Sequence, residues 1–102
     1  MGSFDVERTL STGTPLHAQR VVLFLAPGSG ESAVVATRRV GGAVERNRAR
    51  RILRAAWREV APRLKDDYDV VLVARQGIRD AKTQDLVAEM TELLPRAEAA
   101  RP

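Results

Sequence analysis

Between Arg38 and Arg58 the sequence reads RRVGGAVERNRARRILRAAWR, with arginine at 38, 39, 46, 48, 50, 51, 54 and 58 and a single acid, Glu45. This stretch has a formal charge of +7 in a chain whose total is only +4. Every cation from Arg46 to Arg58 is arginine and none is lysine. The guanidinium is a planar fork of donors that matches phosphate oxygens and base edges and stacks on bases. The chemistry open to these residues is recognition of a polyanion.

Their spacing gives the charge a shape. At about 100° per residue on a helix, Ala49, Ile52, Leu53, Ala56, Trp57 and Val60 share one face, the pattern of a helix packed on a core. Arg46, Arg50, Arg54 and Arg58 follow one another at i, i+4, with Asn47 and Arg51 beside them. Like charges so placed repel by roughly 0.2–0.5 kcal/mol per adjacent pair. A helix that needed only solubility would intersperse glutamate. The plain alternative is a solvated basic face, and the all-arginine composition favours nucleic acid over it. Such a helix does not enter the deep, narrow major groove of A-form RNA, but it can lie across phosphates or meet irregular folded RNA; DNA stays open. Engagement of about six phosphates implies a roughly 10³-fold loss of affinity between 50 and 200 mM salt.

Other chemistry finds little support. The one histidine, His17, lies in a loop or edge segment and reads as a bystander. Asp66, Asp67 and Asp69 are close enough to touch a hydrated Mg²⁺, but a solvated loop before a strand accounts for them better. Gly28-Ser29-Gly30 lacks the Lys-Ser/Thr helix start of a phosphate loop and reads as a turn. No catalytic residue and no protein metal site is expected. With no cysteine there is neither a disulfide nor a thiolate metal site, which fits a reducing, cytoplasmic setting. The opening residues are polar and acidic, so no signal peptide is expected, and no apolar run is long enough to span a membrane.

The elements that must position the arginines follow from the rest of the pattern. At 102 residues the chain is read as one domain, 1–102, with its core at about 5–95 and a frayed tail at 96–102. Residues 3–12 form a short helix with Ser3 as N-cap and Val6 and Leu10 on one side, broken by Gly13. Thr14 to Ala18 is extended around Pro15. Arg20–Ala26 is a buried strand, Pro27–Gly30 a turn and Ser32–Thr37 a second strand, the two expected to pair as a hairpin. Gly41-Gly42 turns the chain into the arginine helix, whose first N–H groups offer an anion site. Pro62 disrupts that helix near Val60. After a polar link at Lys65 to Asp67, Tyr68–Arg75 is apolar enough to be a central strand. Thr83 caps a last helix carrying Leu86, Val87, Met90, Leu93 and Leu94, stopped by Pro95. Strand, helix, strand places the arginine helix across a sheet, with Leu53 and Trp57 packed on it, in a two-layer α/β sandwich.

The run from Arg39 to Arg54, RVGGAVERNRARRILR, resembles the signature of the bacterial ribonuclease P protein component, approximately K-V-G-x-A-V-x-R-N-R-x-K/R-R-x-L-R. The Arg46-Asn47-Arg48 centre is intact, and Arg39 replaces the usual lysine with charge kept. VVLFLAP, AVVAT and YDVVLVAR resemble the strands of that family more loosely. The resemblance implies an α+β sandwich in the order α-β-β-β-α-β-α with a left-handed βαβ crossover, opposite to the general rule. It implies a protein that binds a large catalytic RNA and helps it remove the 5′ leader of precursor tRNA, with Mg²⁺ held mainly by the RNA and its substrate.

By position, the resemblance makes Arg39, Arg46, Asn47, Arg48, Arg50, Arg51 and Arg54 the RNA-contacting set, with Asn47 organising the helix start and its neighbours; Arg38 and Arg58, at the ends of the same basic stretch, complete the expected RNA-binding residues. Val6, Leu10 and Phe24 would line a cleft for the single-stranded leader, Phe24 stacking on a base or simply packing in the core. The expected partners are the catalytic RNA and the precursor tRNA leader, with no membrane, and a monomeric protein before RNA binds. The N-terminus departs from the family: Asp5-Val6 stands at an Asp-Phe position, the preceding Arg-Leu is missing, and Leu10 replaces a frequent phenylalanine. Two other readings remain: a non-catalytic RNA- or DNA-binding module, such as a ribosome-associated protein, and a stand-alone nuclease, for which no acid–base or metal set is present.

Overall fold

Two runs, VVLFLAP and YDVVLVA, are apolar at consecutive positions and so can be buried on both faces of a sheet. In the computed structural model, which describes residues 4–64 and 67–99, they form its two central strands. The element order is α1 (Val6–Thr12), β1 (Thr14–His17), β2 (Val21–Pro27), β3 (Ser32–Val35), α2 (Ala43–Val60), β4 (Tyr68–Ala74) and α3 (Thr83–Ala99), with 3₁₀ turns at Ala61–Arg63 and Gln76–Asp80. The four strands lie in the order β1-β2-β4-β3.

The expected hairpin of the second and third strands does not form. β4 inserts between them, antiparallel to β2 with Phe24 opposite Val71, and parallel to β3 with Val35 opposite Val73. Burial explains the choice. Val70, Val71 and Leu72 are at most 1% exposed, whereas no residue of β3 is fully buried. The strand that can be covered on both faces takes the centre, and the short half-exposed one takes the edge. The turn at Pro27–Gly30 therefore bends over the end of β4. Asp69 fixes it by accepting hydrogen bonds from the backbone N–H groups of Ser29 (3.2 Å) and Glu31 (3.1 Å).

One sheet face presents Val21, Leu23, Leu25, Val70, Leu72 and Ala74 to α2 and α3. These residues share one hydrophobic cluster with Leu53, Trp57, Leu86 and Met90, so the two-layer packing is present. On the other face lie Val22, Phe24 and Ala26 with their partners Val73, Val71 and Asp69. The short α1 packs against β2 and β4 there, with Thr9 buried and Val6 and Leu10 half-buried.

Several helix ends differ from expectation. Asp5 caps α1, accepting from the N–H of Arg8 at 3.1 Å; Ser3 lies outside the described residues. Thr83 is the first residue of α3 and not its cap. The capping carbonyl is that of Lys82, and Asp85 reaches back to the Lys82 N–H at 2.8 Å, the return half of a capping box. Pro95 does not stop α3, which runs on to Ala99. Pro95 gives up one backbone hydrogen bond, and burial of Leu93 and Ala97 on either side of it holds the helix on the core. At the opposite edge Glu89 of α3 accepts from the Arg20 N–H (2.7 Å) and pairs with its guanidinium (2.5 Å). That hydrogen bond raises the Arg20 pKa above its ordinary value.

Candidate nucleic-acid interface

The arginine stretch folds as its spacing dictates. Ala49, Ile52, Leu53, Ala56, Trp57 and Val60 are the buried residues of α2. The helix ends at Val60, and Pro62 sits in the 3₁₀ turn that follows. Its start is set by Gly41 at φ 148, a conformation side-chain-bearing residues avoid, and by Gly42, which caps the helix with no side-chain acceptor. Fully buried Val40 anchors the turn just before it, where the N–H of Arg39 donates to Thr37 Oγ1 at 3.3 Å.

The structure divides the arginines into groups. Arg38, Arg39, Arg51, Arg54 and Arg58 are exposed, while Arg46, Arg48 and Arg50 are half-buried. Arg51, Arg54 and Arg58 line an open groove of about 600 Å³ with Arg48, Ile52, Ala55, Lys82 and Thr83, between α2 and the start of α3. Arg38 and Arg39 line another of about 740 Å³ with Thr37, Val73, Ala74, Arg75 and Gln76, at the end of β4. Arg50 donates to the Asn47 side-chain oxygen, so Asn47 holds an arginine in place. Arg48 is turned inward: its Nη1 donates to the carbonyl of Arg79 (2.9 Å) and its Nη2 to that of Ala81 (2.6 Å).

Two cations were missed in the sequence. Arg75 reaches the Arg38–Arg39 groove only because β3 and β4 run parallel and end together. Lys82 joins the α2 groove only through the packing of the Gln76–Asp80 turn. Neither follows from local spacing.

The ion pairs among the described residues are Arg20–Glu89 and Arg79–Glu45, the latter at 3.9 Å on the surface. Neither uses an arginine of α2. The chain's own carboxylates thus leave this face cationic among the described residues. Asp67 and Asp69 sit at the start of β4, and Asp66 lies outside the described residues. Among the described residues no three His, Asp or Glu side chains gather as metal ligands. No helix among them is long and apolar enough to cross a membrane.

On the α1 side, Phe24 is half-buried beside fully buried Val71. Val6 and Leu10 belong to the helix over that face. The cavity between α1 and the sheet is lined instead by Asp5, Arg8, Thr9, Thr12, Ala26 and Asp69, while Val73, two residues beyond Val71 on β4, lines the Arg38–Arg39–Arg75 groove.

Comparison with known proteins decides the family. The ribonuclease P family profile matches residues 3–98. The chain belongs to the ribonuclease P family. It is 34% identical over 97 residues to the ribonuclease P protein component of Dehalococcoides mccartyi (strain ATCC BAA-2266), covering 92% of this chain and 79% of that one. Against the ribonuclease P protein component of Chloroflexus aurantiacus it is 38% identical over 94 residues, covering 88% and 70%. Among solved structures, the ribonuclease P protein of Thermotoga maritima superposes with a TM-score of 0.75 at 21% identity over 90% of each chain. That of Staphylococcus aureus gives 0.72 at 18% identity, over 93% of this chain and 90% of the other. These structural likenesses speak to the fold, and the order α-β-β-β-α-β-α is shared with them.

Proposed function

We propose that this protein is the RNA-binding subunit of a cytoplasmic ribonuclease P holoenzyme that removes the 5′ leader from precursor tRNA. It enters the assembly as a monomer. The α2 arginine face grips the catalytic RNA, and the sheet face beneath α1 receives the single-stranded leader. The observation that carries this reading is the cationic face of α2, free of internal carboxylate partners among the described residues, in a chain of this family.

Each part of the site has a role within that reading. Arg46, Arg54 and Arg58 present guanidinium forks to phosphates along one row, with Arg51 beside it, and Asn47 orients Arg50 within the row. Arg38 and Arg39 approach RNA from the groove at the end of β4. Phe24, bordered by Val6 and Leu10, offers a stacking surface for a leader base. In this reading Mg²⁺ is held mainly by the RNA and its substrate, and no step passes through a protein-bound ion. The chain binds and orients while the RNA carries out the cleavage.

The test is reconstitution with a bacterial ribonuclease P RNA at low Mg²⁺. Added protein is expected to accelerate precursor tRNA cleavage. An unchanged rate at saturating protein overturns the reading.

A further inference from the structure

Among the described residues, Arg48 is the arginine of α2 whose guanidinium is bound to another part of the fold. Its fork closes on two carbonyls, those of Arg79 and Ala81, 31 and 33 residues away. Between and beside those carbonyls the segment is pinned. Ile78 and Ala81 are 0% and 2% exposed, and the Ala81 N–H donates to the Ile78 carbonyl at 3.0 Å. The next residue is Lys82, whose own N–H is held by Asp85 at 2.8 Å. Lys82 is exposed and lines the same groove as Arg51, Arg54 and Arg58.

We infer that Arg48 is a positioning residue, and that through it Lys82 becomes a phosphate-binding member of the α2 groove. The groove then takes a phosphate backbone of folded RNA between two helices, with cations on both walls. A guanidinium can reach both carbonyls because its donors form a rigid, planar fork. A lysine at 48 keeps the charge and has no fork. With it, the Arg79–Ala81 backbone loses a bridging tie and Lys82 moves off the rim. This inference rests on the RNA-binding role proposed above.

The two possibilities for Arg48 differ in a measurable way. If Arg48 touched phosphate directly, Arg48→Lys would keep the number of phosphate contacts and so the salt slope. If it positions Lys82, Arg48→Lys removes a contact made elsewhere. The experiment measures affinity for a bacterial ribonuclease P RNA from 50 to 200 mM salt, for wild type, Lys82→Gln, Arg48→Lys, the double variant and Arg51→Lys. An unrelated structured RNA serves as a second probe, and thermal melting reports on folding.

Lys82→Gln is expected to lower the log–log slope by about 0.9, a difference of roughly 3.5-fold across this salt range. Arg48→Lys is expected to lower it by the same amount, the double variant no further, and Arg51→Lys not at all. Because Lys82 is exposed, Lys82→Gln tests the groove even if Arg48→Lys unfolds. An unchanged slope for Lys82→Gln on both RNAs overturns the inference. So does an unchanged slope for an Arg48→Lys protein that melts as wild type does, or a double variant whose losses multiply. Wild type that ignores the ribonuclease P RNA yet loses slope on the second RNA through Lys82→Gln overturns the functional reading and leaves the groove standing.

Discussion

Gly13 sits where α1 meets the sheet, and replacing it with alanine tests how that helix is held over the cleft. Its backbone is extended and open to any residue, at φ −73 and ψ 160; the restriction is space. A Cβ there would lie 2.4 Å from the Thr9 carbonyl oxygen, 3.0 Å from that of Leu25 and 3.3 Å from the Leu25 carbonyl carbon. An ordinary carbon–oxygen contact is about 3.3 Å, so the methyl group is too close to Thr9 by about 0.9 Å. Both neighbours are main chain, and no side chain can swing aside. α1 has to lift from β2, straining the 2.9 Å hydrogen bond from the Gly13 N–H to Thr9. Forced overpacking of this kind costs about 2 kcal/mol. For a domain of this size that lowers Tm by roughly 8–16 °C.

The cleft should register the same displacement, since Val6 and Leu10 ride on α1 while Phe24 stays with the sheet. Gly13→Ala is therefore expected to weaken binding of a short single-stranded leader oligonucleotide as well as lower Tm. Gly77→Ala is the control, because its nearest neighbours are at 3.5 and 3.6 Å. Far-UV circular dichroism melts and fluorescence anisotropy with the oligonucleotide supply the two readouts. Equal Tm and equal leader affinity for Gly13→Ala and Gly77→Ala would refute the close-approach reasoning.

Other expectations extend from the core to the surface. Leu53→Ala, at a fully buried site between α2 and the sheet, should cost about 2–5 kcal/mol, checked by urea denaturation. Arg54→Ala should leave Tm unchanged and reduce the salt slope of RNA binding by about 0.9, read from filter binding across a salt series. Phe24→Ala should lower leader affinity by about 1–3 kcal/mol if the ring stacks on a base, with affinity for the catalytic RNA alone kept as the comparison. Glu89→Gln should lower Tm by loosening β2 from α3. The raised Arg20 pKa gives stability that is complete below the ordinary arginine value and is lost only as pH rises through the raised one. The Tm difference should therefore stay flat over roughly pH 6 to 9, a point that melts in matched buffers can check.

Much of the helical order was legible because it is local. The spacing of Ala49, Ile52, Leu53, Ala56, Trp57 and Val60 predicts the buried face of α2, and those six are the residues buried. Strand pairing was not, because alternation and apolar runs say how far a strand is buried but not which strand covers it. A usable signal was present: VVLFLAP and YDVVLVA are the runs apolar enough for burial on both faces, and SAVV is not. Weighting that contrast over the short connection between β2 and β3 places β4 in the middle. The inward turn of Arg48 and the arrival of Lys82 and Arg75 at the grooves depend on contacts more than 30 residues apart. No local pattern encodes them. Pro95 inside α3 misled for the opposite reason, since a strong local rule yielded to the burial of Ala97.

The insertion of β4 between its predecessors governs how the chain comes together. A nascent polypeptide that has reached only Val60 holds β2 and β3 with nothing to join them, and α2 with neither β4 nor α3 to pack on. Its crowded guanidinium groups repel one another at that stage. Emergence of residues 68–74 closes a loop of some forty residues onto β2 and joins β3 to it, and α3 then completes the surface that α2 packs on. Affinity for a polyanion is thereby tied to completion of the fold, and a prematurely terminated product lacks the ordered surface to occupy the RNA.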